Sequence, residues 1–160
     1  MKWRTITPLL VAVSLNTWTP AHADVVTEWN AITVACAYGP PPPALRGGPP
    51  AALDIALVQG AVHDAVQAIR GQFESYAYVN PALMGAGSAE AAAAAAAYHV
   101  LVGLYGAGDT CLAAVPNPAE TYPGDAGLQA GVAAAATMLF EVRPKHTLPT
   151  DPFLGNDAPG

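Results

Sequence analysis

Positive charge is scarce in this chain: six of its 160 residues are Lys or Arg, against twelve Asp and Glu, for a formal charge of −6. Two of the six, Lys2 and Arg4, precede a mostly apolar run from Ile6 to Trp18, and Ala21-His22-Ala23 follows with small residues where a signal peptidase reads them. Residues 1–23 therefore read as a secretory signal peptide. Beyond them only Arg46, Arg70, Arg143 and Lys145 offset all twelve acidic groups, a formal −8. A chain of that sign excludes nucleic acid and anionic membrane as partners. Long apolar runs are lacking too. The leader's run falls short of the ~20 residues needed to cross hydrocarbon, and no later segment reaches that length, so no membrane span is expected. The expectation is a protein secreted or periplasmic after cleavage near Ala23, with a helical domain over 24–147 and a Pro/Gly-rich tail over 148–160.

Cysteine is nearly absent. Cys36 and Cys111 would share an oxidising compartment, so a disulfide is allowed, but both fall on segments that read as helical, and nothing in the sequence fixes their Cα distance. Two buried thiols packed like small apolar groups are the favoured reading. Period-two alternation is missing as well, so no sheet is expected, and the fold class is all-α with four main helices.

What is present is helical periodicity. In Pro49–Gly71, Ile55, Val58, Val62, Ala65 and Ile69 stack into one apolar seam, with Gln59, His63, Gln67 and Arg70 on another side. Pro49 and Pro50 suit a first turn, Asp54 is placed to favour the positive helix end, and Gly71 is a stop. An earlier helix from Asp24 to Tyr38 has Val25, Trp29, Ile32 and Cys36 as its seam, Trp29 being the core anchor. Gly39 and Pro40–Pro43 end it. Residues 72–87 carry Phe73, Tyr76, Tyr78, Leu83 and Met84 and should pack back on the helices. Ser88 caps a third helix running through Tyr105, whose alanines at 91–97 suit close helix approach. Asp109–Ala114 could form a short helical turn carrying Cys111. The last helix is expected from Gly124 to Arg143, with Leu128, Val132, Ala135, Leu139 and Val142 inside, and Arg143, Lys145 and His146 at its negative end.

The strings Val26-Thr27-Glu28-Trp29-Asn30-Ala31-Ile32, Val62-His63-Asp64-Ala65-Val66-Gln67-Ala68-Ile69, Phe73-Glu74-Ser75-Tyr76 and His99-Val100-Leu101 together resemble the N-terminal helical part of vanadium-dependent haloperoxidases, relatives of the type-2 phosphatidic acid phosphatases. Phe153-Leu154-Gly155-Asn156-Asp157-Ala158-Pro159-Gly160 resembles the loop leading into that family's second half. The resemblance spans most of residues 24–160. It implies an all-helical fold in which the second half holds vanadate or phosphate through a Lys spaced before an Arg-Pro pair, a Ser-Gly-His segment, and a later Arg and His. Here Arg143-Pro144 is present, Ala136 stands where that lysine would be, and no Ser-Gly-His occurs. No catalytic, cofactor-binding or metal-ligating residue is carried over. A complete relative would oxidise halide with hydrogen peroxide at bound vanadate or hydrolyse phosphate esters. The implied partners are the missing catalytic half or a second copy meeting through apolar helix faces. The alternative is a secreted helical interaction domain.

Other constellations give weaker leads. His63, Asp64 and His99 are metal-ligand types, but adjacent helical residues diverge by about 100°, so His63 is expected at an interface or the surface and Asp64 as a partly buried, hydrogen-bonded carboxylate answered by Arg70 or a helix N-terminus. Ser75 and Ser88 lack a nucleophile setting. Glu74 and Glu90 have nothing to bring them to glycosidase spacing, and Cys111 has no neighbouring base.

Overall fold

A computed structural model describes residues 24–39 and 48–146. The expected leader, the proline run at 40–43 and the tail at 148–160 lie outside them. Among the described residues the chain is all-α, without strands: α1 Val25–Tyr38, α2 Pro49–Arg70, α3 Ala89–Tyr105, the single turn α4 Pro118–Thr121, and α5 Gly127–Thr137. None of these helices is long and apolar enough to cross a membrane.

Helices α2 and α3 form the centre, packed against each other and each against α1 and α5. Pro49 and Pro50 form the first turn of α2, and Gly71 ends it at φ 61°, donating its amide to the Gln67 carbonyl. The expected seam is mostly buried, but Leu57, Ala61, Asp64 and Ala68 are buried too, because helices cover two sides of α2 rather than one. Two polar residues also depart from expectation. Gln67 is interior, its Oε1 accepting from the Gln72 and Phe73 amides at 3.1 and 2.7 Å. Asp54 lies beyond the first turn and is buried, accepting from the Tyr105 hydroxyl at 2.8 Å.

Helix α1 starts on Asp24, whose Oδ1 accepts from the Thr27 amide at 2.8 Å. Trp29 is buried, its ring edge-on to Tyr98 with centroids 6.1 Å apart. The inner position beside it belongs to Thr33, not Ile32, which is only half-buried. Thr33 tolerates full burial because its hydroxyl donates to the Trp29 carbonyl at 2.7 Å.

Among the described residues the α3–α5 contact is the tightest. Ser88 caps α3 by accepting from the Ala91 amide at 3.1 Å, and every alanine from 91 to 97 is buried. Against them α5 turns Gly127, Ala130, Gly131, Ala134 and Ala135. A Cβ at Gly131 would stand 2.5 Å from the Ala92 carbonyl oxygen, and one at Gly127 would overlap the Ser88 carbonyl. This corrects the expected seam, since Val132 is 45% exposed. Backbones this close accept only the smallest side chains between them, so the larger apolar residues turn outward.

Helix α5 also starts later than expected and changes pitch. Over Met138–Val142 it widens to a π-turn, closed by the Arg143 amide donating to the Met138 carbonyl, and Arg143–Lys145 finish as a 3-10 turn. Pro144 is the cause, since it has no amide for the Phe140 carbonyl and its ring crowds that carbonyl.

Cys36 and Cys111 form a disulfide with Cα atoms 5.2 Å apart. The expectation of two thiols failed because Cys111 is not in a helix. It lies in a series of turns at 107–115, where Asp109 Oδ1 accepts from the Cys111 amide at 2.9 Å. That chain direction brings Cys111 to the C-terminal end of α1.

Candidate functional site

The most organised polar feature is built on Asp64, which α2 holds at 0% exposure. Its Oδ1 accepts from the Tyr76 amide at 2.6 Å, and its Oδ2 from the Ala77 and Tyr78 amides, both at 2.8 Å. Three oriented amides balance a buried carboxylate through charge-assisted bonds. Neither Arg70 nor a helix N-terminus plays the expected part. Arg70 instead reaches Glu90 across 3.4 Å, with both side chains about half exposed, an arrangement that adds little stability.

Around Asp64 the 72–87 segment is tied down at both ends. Gln67 takes its first amides, His63 Nε2 bonds the Glu74 carbonyl at 2.9 Å, and the Gly85 amide donates to the Ile69 carbonyl at 2.8 Å. The segment packs back on α2 through these polar braces and, of its aromatics, through Tyr78, which is half-buried against the core. Leu83 is buried, yet Phe73 is 71% exposed and Tyr76 65%. Tyr76 reaches an apolar groove of about 300 Å³, floored by Leu53, Ala56, Leu57 and Gly60 of α2, walled by Met138 and Val142, and lined also by His146.

The residues singled out in the sequence are not brought together. His63 is exposed while Asp64 faces inward, so the adjacent pair serves two different bonds. His99 lies on α3 with its ring edge-on to Tyr98, centroids 5.4 Å apart, and burial holds it below the usual histidine range. Ser88 is a cap, and Glu90 belongs to the Arg70 pair. Among the described residues no group of three or more His, Cys, Asp or Glu is arranged to hold a metal ion.

One residue escaped the sequence reading. Asp125 Oδ1 accepts from the Gly127 amide at 2.7 Å and from the Ser88 amide at 3.0 Å, joining the starts of α5 and α3. The Gly127 amide first, and the Ser88 amide second, hold its carboxyl below the ordinary range. An Asp two residues before a helix is a recognisable turn signal. Its bond to Ser88, 37 positions away, is tertiary.

No family model, curated protein or solved structure matches the chain.

Proposed function

We propose that this is the front, non-catalytic helical portion of an exported vanadium-dependent haloperoxidase-like protein, acting as a scaffold for a vanadate- or phosphate-binding half that these residues do not supply. The observation that carries the reading is the Asp64 brace. Two of the resembling strings, Val62–Ile69 and Phe73–Tyr76, form one physical unit, because the carboxylate in the first binds the Tyr76 amide of the second. The groove beside Tyr76 is the docking surface for that half. Its apolar floor and walls suit a packed helix rather than a charged substrate.

The charge distribution agrees with a scaffold role. A tetrahedral oxyanion needs several convergent cationic or amide donors. Among the described residues Arg70 is engaged by Glu90, Arg143 and Lys145 share one turn at the far end of α5, and the amides of 76–78 are taken by Asp64. Export with removal of residues 1–23 is part of the proposal, supported by the disulfide, which persists in oxidising compartments.

A secreted interaction domain is the second reading, favoured by the 78% exposure of Phe140. Sequencing the encoding DNA past codon 160, in all forward frames, separates the two. The scaffold reading expects a spaced Lys, an Arg-Pro pair and a Ser-Gly-His segment. Their absence from every frame would overturn it and leave the interaction domain.

A further inference from the structure

The 72–87 segment keeps several large apolar side chains in water, and three of them surround one concavity. Phe73, Val79 and Met84 are 71%, 69% and 60% exposed. With Ala68 and Pro81 they line a pocket of about 290 Å³ at the C-terminal end of α2. Tyr76 belongs to the other groove, so the two sites are separate.

This exposure is held in place by the fold. The Phe73 amide donates to Gln67 Oε1 at 2.7 Å, and Asn80 Oδ1 accepts from the Ala82 amide at 3.2 Å. Asn80 Nδ2 donates to the Tyr78 hydroxyl at 3.2 Å, and the Gly85 amide returns to the Ile69 carbonyl. Met84 lies across the end of α2 because residue 71 has no side chain: a Cβ there would stand 2.7 Å from Met84 Cε. Walls fixed in this way form the cavity before a ligand arrives, which lowers the cost of binding. Its size falls at the lower end of small-molecule sites, which run from roughly 300 to 1,000 Å³.

The pocket also carries charge of one sign. Of its lining residues Glu74 alone is ionisable, with Ser75 beside it. Neither the Glu74 carboxylate nor the Ser75 hydroxyl has a partner among the described residues. The basic groups nearest in sequence are committed elsewhere. Arg70 pairs with Glu90, and His63, whose Nε2 meets the Glu74 backbone carbonyl, lines a different depression with Gln59 and Val62. A carboxylate without a cation of its own, set beside an aromatic ring and a thioether, suits an ammonium group joined to a flat apolar body.

We infer that this pocket binds a small primary arylalkylamine, its ring against Phe73, Val79 and Met84 and its ammonium donating to the Glu74 carboxylate and the Ser75 hydroxyl. A ligand of about ten non-hydrogen atoms in so exposed a site binds weakly, with Kd on the order of 1 mM. The inference rests on the geometry of this segment and is independent of the scaffold reading.

The test is a titration of the isotopically labelled full chain, disulfide intact, with phenethylamine, followed by amide NMR. Saturable shifts are expected at amides within 67–75 and 79–84, with those of α5 unmoved. Phenylpropionate, the same ring and chain with the opposite charge, should bind about tenfold more weakly, and methylamine, the charge without the ring, should give no saturable shift. Glu74→Gln should weaken phenethylamine binding about threefold, as for an exposed ion pair, and remove most of the preference over phenylpropionate. Phe73→Ala should weaken both ring-bearing probes about threefold or more. Both positions are exposed, and unchanged α3 amide shifts verify that each variant folds. Shifts that do not saturate or that scatter outside the pocket, equal binding of phenylpropionate, or indifference to both substitutions would each overturn the proposal.

Discussion

The α3–α5 contact and the face formed by α2 with its 72–87 segment are held together in opposite ways. Between α3 and α5 almost nothing but alanine and glycine is buried, and the fit depends on backbone proximity. On the other face the segment is fastened by side-chain oxygens of Asp64 and Gln67 that accept backbone amides, while Phe73 and Tyr76 stay outside and a groove is left open. The first contact cannot accept an added methyl group without a shift. The second cannot lose an oxygen. A face fixed by polar braces can keep apolar surface free for a partner, and a face fixed by packing cannot.

The largest expected effect lies outside both. Cys36→Ser with Cys111→Ser opens a cross-link spanning 75 positions, and the chain-entropy account puts the loss at about 4 kcal/mol, measurable by denaturant titration. Gly131→Ala is next. Its Cβ meets the Ala92 backbone, and overpacking of that kind costs about 3 kcal/mol. The matching change on the open face, Ala56→Leu in the groove floor, should shift stability by less than about 0.5 kcal/mol. If the two cost the same, the contrast between closed and open faces is lost.

Asp64→Asn should cost about 2 kcal/mol, since one acceptor becomes a donor among buried amides. The loss should be local. Hydrogen exchange at Tyr76, Ala77 and Tyr78 should speed up while the α3 amides stay protected.

The smallest effects are in pH. The folded pKa of His99 is lowered by burial, so its contribution is fully present above the ordinary value of about 6.5 and is lost as pH falls toward the folded value. His99→Gln should flatten that step in a thermal-midpoint profile. Asp125, lowered by the Gly127 and Ser88 amides, contributes above about pH 4 and is lost in more acid solution. Asp125→Asn should lower the neutral-pH midpoint and flatten the acid limb.

Much of this was legible in local pattern. The Pro49–Pro50 start, the Gly71 stop, the Ser88 cap, the alanine face of α3 and the all-α class follow from chemistry within a few residues. The departures come from tertiary partners. Val132 outranks Ala134 in hydrophobicity, yet the closeness of α3 decides which faces inward. Gln67 read as polar but is interior, and Asp64, expected to be partly buried and hydrogen-bonded, has neither expected partner, because a loop six to fourteen positions away supplies their donors. Cys111 paired because its segment is turned rather than helical. Asp125 went unnoticed because half its role is the bond to Ser88.

The scaffold account is tested most directly by titrating orthovanadate into the full chain by calorimetry, with bromide oxidation by peroxide assayed in the same sample. The account predicts no saturable heat and no oxidation above buffer. Stoichiometric binding with turnover would contradict it and would assign the chemistry to residues such as Arg143, Lys145 and His146.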